Sequence, residues 1–417
     1  MRSFSVIAHA VTQAVKANPA IYVPIKRFVV PLIQAVRHQT VRFAAFVLAQ
    51  QPLTRFFLTP VKMDSIANLE VRGELGNESI SVRTIFPDEA LFDRLPTRLD
   101  GEQHWNLREY RSAAGQVAAI SHGRFWLPGL AVTSRNRTYL NDVLFKISVH
   151  APQNAILGTP FTRALTLPGV SGLVAGNRPE TYFHWMLEVA PKFLLLEAAG
   201  GWGRYGRIIV PPLTKGFQHE VLGHFGVPKS LLDELDTRRL VEAEELVVPL
   251  LPAPHNRVPA WLAREMAARL RPEAPSPPSA LIYISRRDSP ARQVENEDEV
   301  IACLEPYGFQ VAVLSGMSVT AQAALLGSAR VVVGPHGAGF ANLLFCNPGT
   351  TVLEFFSPLY VNFCFWTLAR GAGLSYFYLL GEGPNVPDSV QPSLGSVPIR
   401  VPLPALRRAL DTLLGKQ

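Results

Sequence analysis

The second half of the chain alternates short, wholly apolar runs with longer amphipathic stretches. "LIYIS" (281–285), "VAVLS" (311–315), "VVVG" (331–334) and "TVLEF" (351–355) show almost no polar alternation, which suits parallel strands covered on both faces. Between the first two a helix is predicted after Asn296, ending near Gly308, where a missing Cβ favours a left-handed cap. A second helix is predicted over about 319–328, opened by Ser318, and a short third one from Gly339. Strand, helix, strand, helix, strand, turn, helix, strand is the order of a doubly wound α/β sheet.

An earlier α/β stretch has a helical pattern near 180–199, the strand "RIIVP" (207–211), a helix around "FQHEVLGHFG" and the strand "ELVVPL" (245–250). Upstream, between 63 and 165, runs such as "SISVRTIF" and "GRFWLPGLAVTS" are β-like and short. "RPEAPSPPSA" (271–280) holds four prolines and reads as a linker. The expected organisation is a segment 1–62, an N-terminal α/β domain 63–270, the linker 271–280, a Rossmann-like domain 281–380 and a tail 381–417. The tail is read as a loop followed by the helix "ALRRALDTLL".

Charge changes this picture at one place. Residues 1–62 contain eight Lys or Arg and neither Asp nor Glu, which accounts for the net charge of +7. The basic residues are interleaved with apolar ones in stretches that read as short amphipathic helices broken by Pro24 and Pro31. Two readings are open: attraction to an anionic bilayer surface, or a helical cap packed on the protein's own core. Nucleic acid is not expected, since no binding motif accompanies the charge. Cys303, Cys346 and Cys364 are too few and scattered for a disulfide framework, no Cys/His spacing suggests zinc, and no run of 18 apolar residues occurs. A cytoplasmic protein is expected, peripheral at the inner face of a membrane through residues 1–62.

Ligands of open parallel sheets bind beyond the carboxyl ends of the strands. After "VVVG" comes "PHGAGFANLLF", where Gly334, Gly337 and Gly339 leave the backbone bare and a helix N-terminus follows, a setting for an anion such as a diphosphate. His336 alone reads as a structural histidine as readily as a ligand contact. After "LIYIS" come Arg286 and Arg292, whose forks suit phosphate oxygens, although Glu295, Glu297, Asp298 and Glu299 stand near enough to pair with them. Glu354, near the end of an apolar strand, needs hydrogen-bond partners if buried, either ribose hydroxyls or a backbone amide. In "GNRPETYFHWMLEVAPKFLLLE" (176–197), Asn177 and Glu180 stand at capping-box spacing, His184 and Glu188 share one helical face, and Pro191 should kink the helix just past them. His184 and Glu188 could serve as a general base and its orienting partner, or merely as a polar rim. A G-x-G-x-x-G dinucleotide signature fails, because Gly337 and Gly339 are followed by Asn342.

Together these stretches resemble glycosyltransferase family 61, whose members include bacterial capsular-polysaccharide transferases and eukaryotic transferases of xylose or N-acetylglucosamine. "YFHWMLEVAPKFLLLE", "YISRRDSPARQVENEDEV" and "GPHGAGFANLLFCNPGTTVLEFF" carry the resemblance, which runs from about 170 to 380. It implies a GT-B-like fold of two Rossmann-like domains facing a cleft, and an inverting transfer from a nucleotide-diphosphate sugar to a polysaccharide, glycan or lipid-linked oligosaccharide acceptor. It also implies a donor site of Arg286, Arg292, Gly334, His336, Gly337, Ala338, Gly339 and Glu354, with His184 and Glu188 catalytic and Thr181 and Trp185 on the acceptor side. Thr181 stands where the family often has Asn. No cofactor is expected, and no metal, since no two Asp lie two residues apart in the chain. The competing expectation is a non-catalytic nucleotide-sugar-binding subunit of a surface-polysaccharide assembly.

Overall fold

The computed structural model describes residues 62–91, 96–101, 110–126, 131–140, 164–176, 178–234, 240–251, 257–271, 278–383 and 395–415. The basic segment 1–61, Asn177 and most of the proline-rich linker lie outside these residues. What is described is a mixed α/β protein built on two large sheets.

The first sheet has ten strands among the described residues and joins two styles of pairing. Its strands include β1 (Ile80–Phe86), β2 (Gly115–Ser121), β3 (Leu165–Leu173), β4 (Arg207–Ile209) and β5 (Leu240–Leu250). β5 lies parallel to β3, which lies parallel to β4, whereas β2 runs antiparallel to both β5 and β1. The helical stretch near 180–199 resolves into α1 (Tyr182–His184), a π-helical turn Trp185–Val189 and α2 (Pro191–Ala198). Thr181 stands at the N-cap of α1, without a side-chain cap, so the helix starts later than the Asn177–Glu180 spacing predicts. α3 (Gly216–His224) falls where expected, while α4 (Ala260–Leu270) was not anticipated.

The second sheet is parallel throughout. Its strands are β6 (Ala280–Ile284), β7 (Gln310–Ala312), β8 (Ala329–Pro335), β9 (Thr351–Phe356) and β10 (Ser375–Leu380), in the spatial order β7, β6, β8, β9, β10, with Thr97–Arg98 beyond β10. The connecting helices are α5 (Glu297–Leu304), α6 (Val319–Gly327), a 3₁₀ helix Ala338–Phe345 and α7 (Cys364–Gly371), and α8 (Leu403–Leu414) closes the described chain. The unalternating apolar pattern has its physical reason here. Leu281, Tyr283, Val331, Val333, Leu353 and Phe355 face one layer with α5 and α8, while Ile282, Ile284, Val332, Val352 and Phe356 face the other. Gly308 is left-handed at φ 87°, and Ser318 caps α6 by accepting from the Ala321 amide at 3.1 Å, both as predicted.

From β6 the chain crosses outward to β7 and then returns to the other side as β8. The carboxyl ends of β6 and β8 therefore flank the point where the winding reverses, which is where such sheets leave a crevice. Gly334 is needed at that point for packing: a Cβ there would lie 2.8 Å from the Ile284 carbonyl oxygen and 3.0 Å from the Phe340 ring. Backbone cannot yield as a side chain can, so Gly334→Ala is expected to destabilise by about 1–3 kcal/mol, read as a lowered midpoint in urea unfolding.

A continuous core links the layers of both sheets, including Trp185, Phe193 and Trp261 from one half and Phe340, Phe345 and Phe365 from the other. Polar ties join them as well. The Glu220 carboxylate on α3 accepts from the Val319 and Thr320 amides at 2.8 Å each, completing the N-terminus of α6. Tyr182 donates to Asn342 Oδ1 at 2.5 Å, and Asn342 Nδ2 donates to Gln322 Oε1 at 2.6 Å.

Candidate active site

Arg286 leaves β6 at the crevice. Its Nη2 donates to Ser289 Oγ at 2.7 Å and to the Ala291 carbonyl at 3.0 Å. Its guanidinium rests against the bare Cα of Gly337, where a Cβ would stand 1.8 Å from Nη1 and 2.4 Å from Cζ. The glycine thus makes a seat for an arginine. Gly339 serves packing, since its Cβ would come within 3.2 Å of Leu314 and 3.3 Å of Ile284. Ala338 begins the 3₁₀ helix, half-buried, directly after that seat.

Arg292 adopts a left-handed backbone, φ 54°, uncommon for a residue with a side chain. Its Nε donates to the His336 carbonyl at 2.9 Å, its Nη1 donates to the Gly395 carbonyl, and its guanidinium lies 5.8 Å from the Tyr360 ring centroid. Among the described residues neither arginine has a carboxylate partner; the nearby acids are taken by Arg287, 3.3 Å from Glu297 and 3.4 Å from Asp298. Burial, and for Arg286 also the charge of Arg292, pushes both guanidiniums down, Arg286 to about 10. Both stay protonated at neutral pH. Two half-buried cations side by side, with the charge of Asp288 acting on Arg286 and no carboxylate in bonding contact with either among the described residues, favour an anion between or beside them.

His336 and Glu354 form a second element of the site. Glu354 is fully buried on β9, with Oε1 2.5 Å from His336 Nδ1 and Oε2 accepting from the Tyr376 hydroxyl. The register Glu354↔Tyr378 puts Tyr376 two residues back on the neighbouring strand. Burial holds the Glu354 carboxyl well above the usual range, and burial with the charges of Arg292 and Arg286 holds His336 well below its own. Both shifts run toward the uncharged forms, and the two groups share one hydrogen bond between Glu354 Oε1 and His336 Nδ1. The ribose-hydroxyl contact expected of Glu354 is therefore closed to it, because both oxygens are engaged inside the protein. Its role runs through His336.

The first half contributes His184 and Glu188. His184 Nδ1 lies 2.7 Å from Glu188 Oε2, and both side chains are about a fifth to a quarter exposed, at 24% and 21%. With Nδ1–H donating to the carboxylate, Nε2 is left as an acceptor. The kink expected from Pro191 takes the form of the π turn, in which the Ala190 amide reaches back to the Trp185 carbonyl at 2.8 Å. Trp185, at the start of that turn, is fully buried against Phe193. Thr181 remains half-buried at the N-cap, where an acceptor could reach it.

The two elements approach each other through aromatic rings. Phe365 lies 5.6 Å from Phe183, the neighbour of His184, and 5.2 Å from His336, centroid to centroid. Both Glu188 and Glu354 act on the Cys364 thiol, helping burial push it well up. The structure pairs His184 with Glu188 and Arg286 with Gly337, joins Arg292, His336 and Glu354 through the His336 carbonyl and ring, and buries Trp185. It adds Tyr376, Tyr360 and the buried Lys192, which the sequence did not reveal.

Comparison with known proteins agrees with the sequence resemblance. Residues 182–353 match the family model described as Glycosyltransferase 61. Over 99 residues, 23% of this chain and 19% of the relative, the identity is 35% to the EGF domain-specific O-linked N-acetylglucosamine transferase of Drosophila melanogaster. Over 94 residues, 22% of the chain and 20% of the relative, it is 34% to a β-1,2-xylosyltransferase of Oryza sativa subsp. japonica. The chain spans about a fifth of the length of these relatives, both of them eukaryotic.

Proposed function

We propose, from the premise that residues 182–353 are a glycosyltransferase family 61 segment, that this protein is an inverting, metal-independent glycosyltransferase of GT-B arrangement. A nucleotide-diphosphate sugar is the donor and a glycan hydroxyl the acceptor. The observation that carries the reading is the pair of neighbouring half-buried guanidiniums, Arg286 and Arg292, at the switch point of the parallel sheet, with His184–Glu188 approaching from the other half. The diphosphate lies against Arg286, Gly337 and Ala338, with the His336 ring beside them. The acceptor enters beside Thr181 and His184.

In such a displacement the acceptor oxygen forms its bond to the anomeric carbon as the bond to the diphosphate breaks. The acceptor proton passes to His184 Nε2, and Glu188 stabilises the imidazolium that forms. Inversion needs the base on the face opposite the leaving group, which two elements from different halves can supply. The departing diphosphate's charge is met by arginine and by the start of the 3₁₀ helix.

Incubating the protein with nucleotide sugars and glycan acceptors, in excess EDTA, should release nucleotide diphosphate at a rate that rises with acceptor. Binding without release under every combination would make it a non-catalytic subunit, and activity restored only by manganese or magnesium would overturn the metal-free account. The basic segment 1–62 would dock the protein on an anionic bilayer carrying a lipid-linked or polysaccharide precursor. Each Lys or Arg there adds about 1 kcal/mol, so co-sedimentation with phosphatidylserine vesicles at low salt should be lost on truncation to residue 63. A full-length protein that ignores such vesicles would leave the segment a packing role.

A further inference from the structure

Lys192 is a lysine where a lysine is costly. It occupies the first turn of α2, between Pro191 and Phe193, and only 5% of its surface is exposed. Its Nζ donates to the carbonyl of Ala175, in the turn that follows β3. That turn packs closely on the π turn, since a Cβ on Gly176 would stand 2.5 Å from Val189. Burial disfavours an ammonium. Burial pulls Lys192 down to about 8, and the charge that acts in the other direction is Glu188, four residues earlier.

The groups around this pair are few. His184 bonds Glu188 on the same helical face. From the second half the Cys364 thiol feels Glu188 together with Glu354 and Arg292. From the β3 side the contact is the neutral Ala175 carbonyl. Among the described residues, Glu188 is hydrogen-bonded to the partly exposed His184 imidazole and its charge also acts on the enclosed Lys192 ammonium.

We propose that Lys192 is a positioning residue of the active site, whose ammonium supplies the counter-charge to Glu188 from below and pins the π turn to the Ala175 carbonyl, so that Glu188 presents Oε2 to His184 Nδ1. This rests on the reading of His184 as the base. The ammonium has a second effect through the shared carboxylate: it opposes accumulation of positive charge on the imidazole in the resting enzyme, so that Nε2 is free when the acceptor arrives. As pH rises through about 8, Lys192 loses its proton and this restraint weakens.

The test compares Lys192→Gln, which keeps a donor without the charge, with Lys192→Met and Lys192→Arg, using sugar transfer by the full chain. The Gln and Met variants are expected to lower kcat about tenfold with donor KM little changed, and to move the acid limb of kcat/KM up by about half a pH unit or more. The Arg variant should keep the wild-type limb. Folded Gln and Met variants with wild-type kcat and limb would overturn the proposal; if Met does not fold, Gln and Arg decide between them. His184→Ala, assayed in parallel, separates the two claims. Normal turnover there defeats the base, whereas an inactive His184→Ala beside an unaffected Lys192→Gln defeats only the lysine's role.

Discussion

His184→Ala is expected to lower turnover by about 10²- to 10⁴-fold while leaving donor affinity nearly unchanged. The reason is positional. The imidazole is partly exposed, bonded through Nδ1 to Glu188, and separated from His336 by the rings of Phe183 and Phe365. An acceptor hydroxyl is a poor acid, so its proton leaves late, as the new bond forms, and a base that is absent then is felt in kcat. Glu188→Gln keeps the shape and loses the charge, so it should cost less. If Glu188→Gln is inactive while His184→Ala retains most of its turnover, the carboxylate is the base and histidine positions the sugar. Steady-state kinetics at saturating donor, with calorimetry for donor affinity, reads both outcomes.

Gly337→Ala should act on the other half of the reaction. The added methyl would occupy the space of the Arg286 guanidinium, 1.8 Å from Nη1, and the flexible end of that side chain can move aside at little cost to the fold. Loss of one charge-assisted contact costs about 1.5–3 kcal/mol, so affinity for a nucleotide diphosphate should fall roughly tenfold to a hundredfold or somewhat more. Arg286→Ala should do the same, and the double variant should lose little more than either alone, because both remove the same interaction. Gly334→Ala is the counterpart, with stability lost for a reason unconnected to ligand. Unchanged diphosphate affinity in Gly337→Ala would mean that Arg286 holds the 286–292 loop and nothing else.

The second sheet was legible because Ile282 and Leu281 go to opposite covered layers, so the sequence shows no alternation to confuse with a half-exposed strand. Arg286 could be placed from its position one residue past a strand end. That Arg287 rather than Arg286 takes the acids could not, since the two are adjacent and the choice depends on which way each leaves the strand. The partners of Glu354 were not legible: Tyr376 lies on β10, a strand not anticipated, and His336 meets it from 18 positions away. Trp185 came from the family resemblance, which carries no information on burial, and in the structure it is fully enclosed at the start of the π turn. Lys192 escaped notice because lysine is ordinarily solvated, though Pro191, Phe193 and Leu194 beside it were a signal of enclosure.

The strand Thr97–Arg98 has a practical bearing on how this protein can be taken apart. It pairs with β10 at Phe377 and Tyr378, and the Leu99 amide adds a bond to the Tyr378 carbonyl at 3.1 Å. α4 binds the same halves from the other side, stacking Trp261 on Phe86 at 4.6 Å while its Ala260 and Ala263 meet Gly371. A gene fragment beginning at residue 278 would leave β10 as a bare edge, its backbone groups open to pairing with another copy. Such a fragment should precipitate or oligomerise when produced by itself. Co-produced with a fragment covering residues 1–271, it should reassemble into a soluble pair, the missing strand and helix being returned by the partner piece.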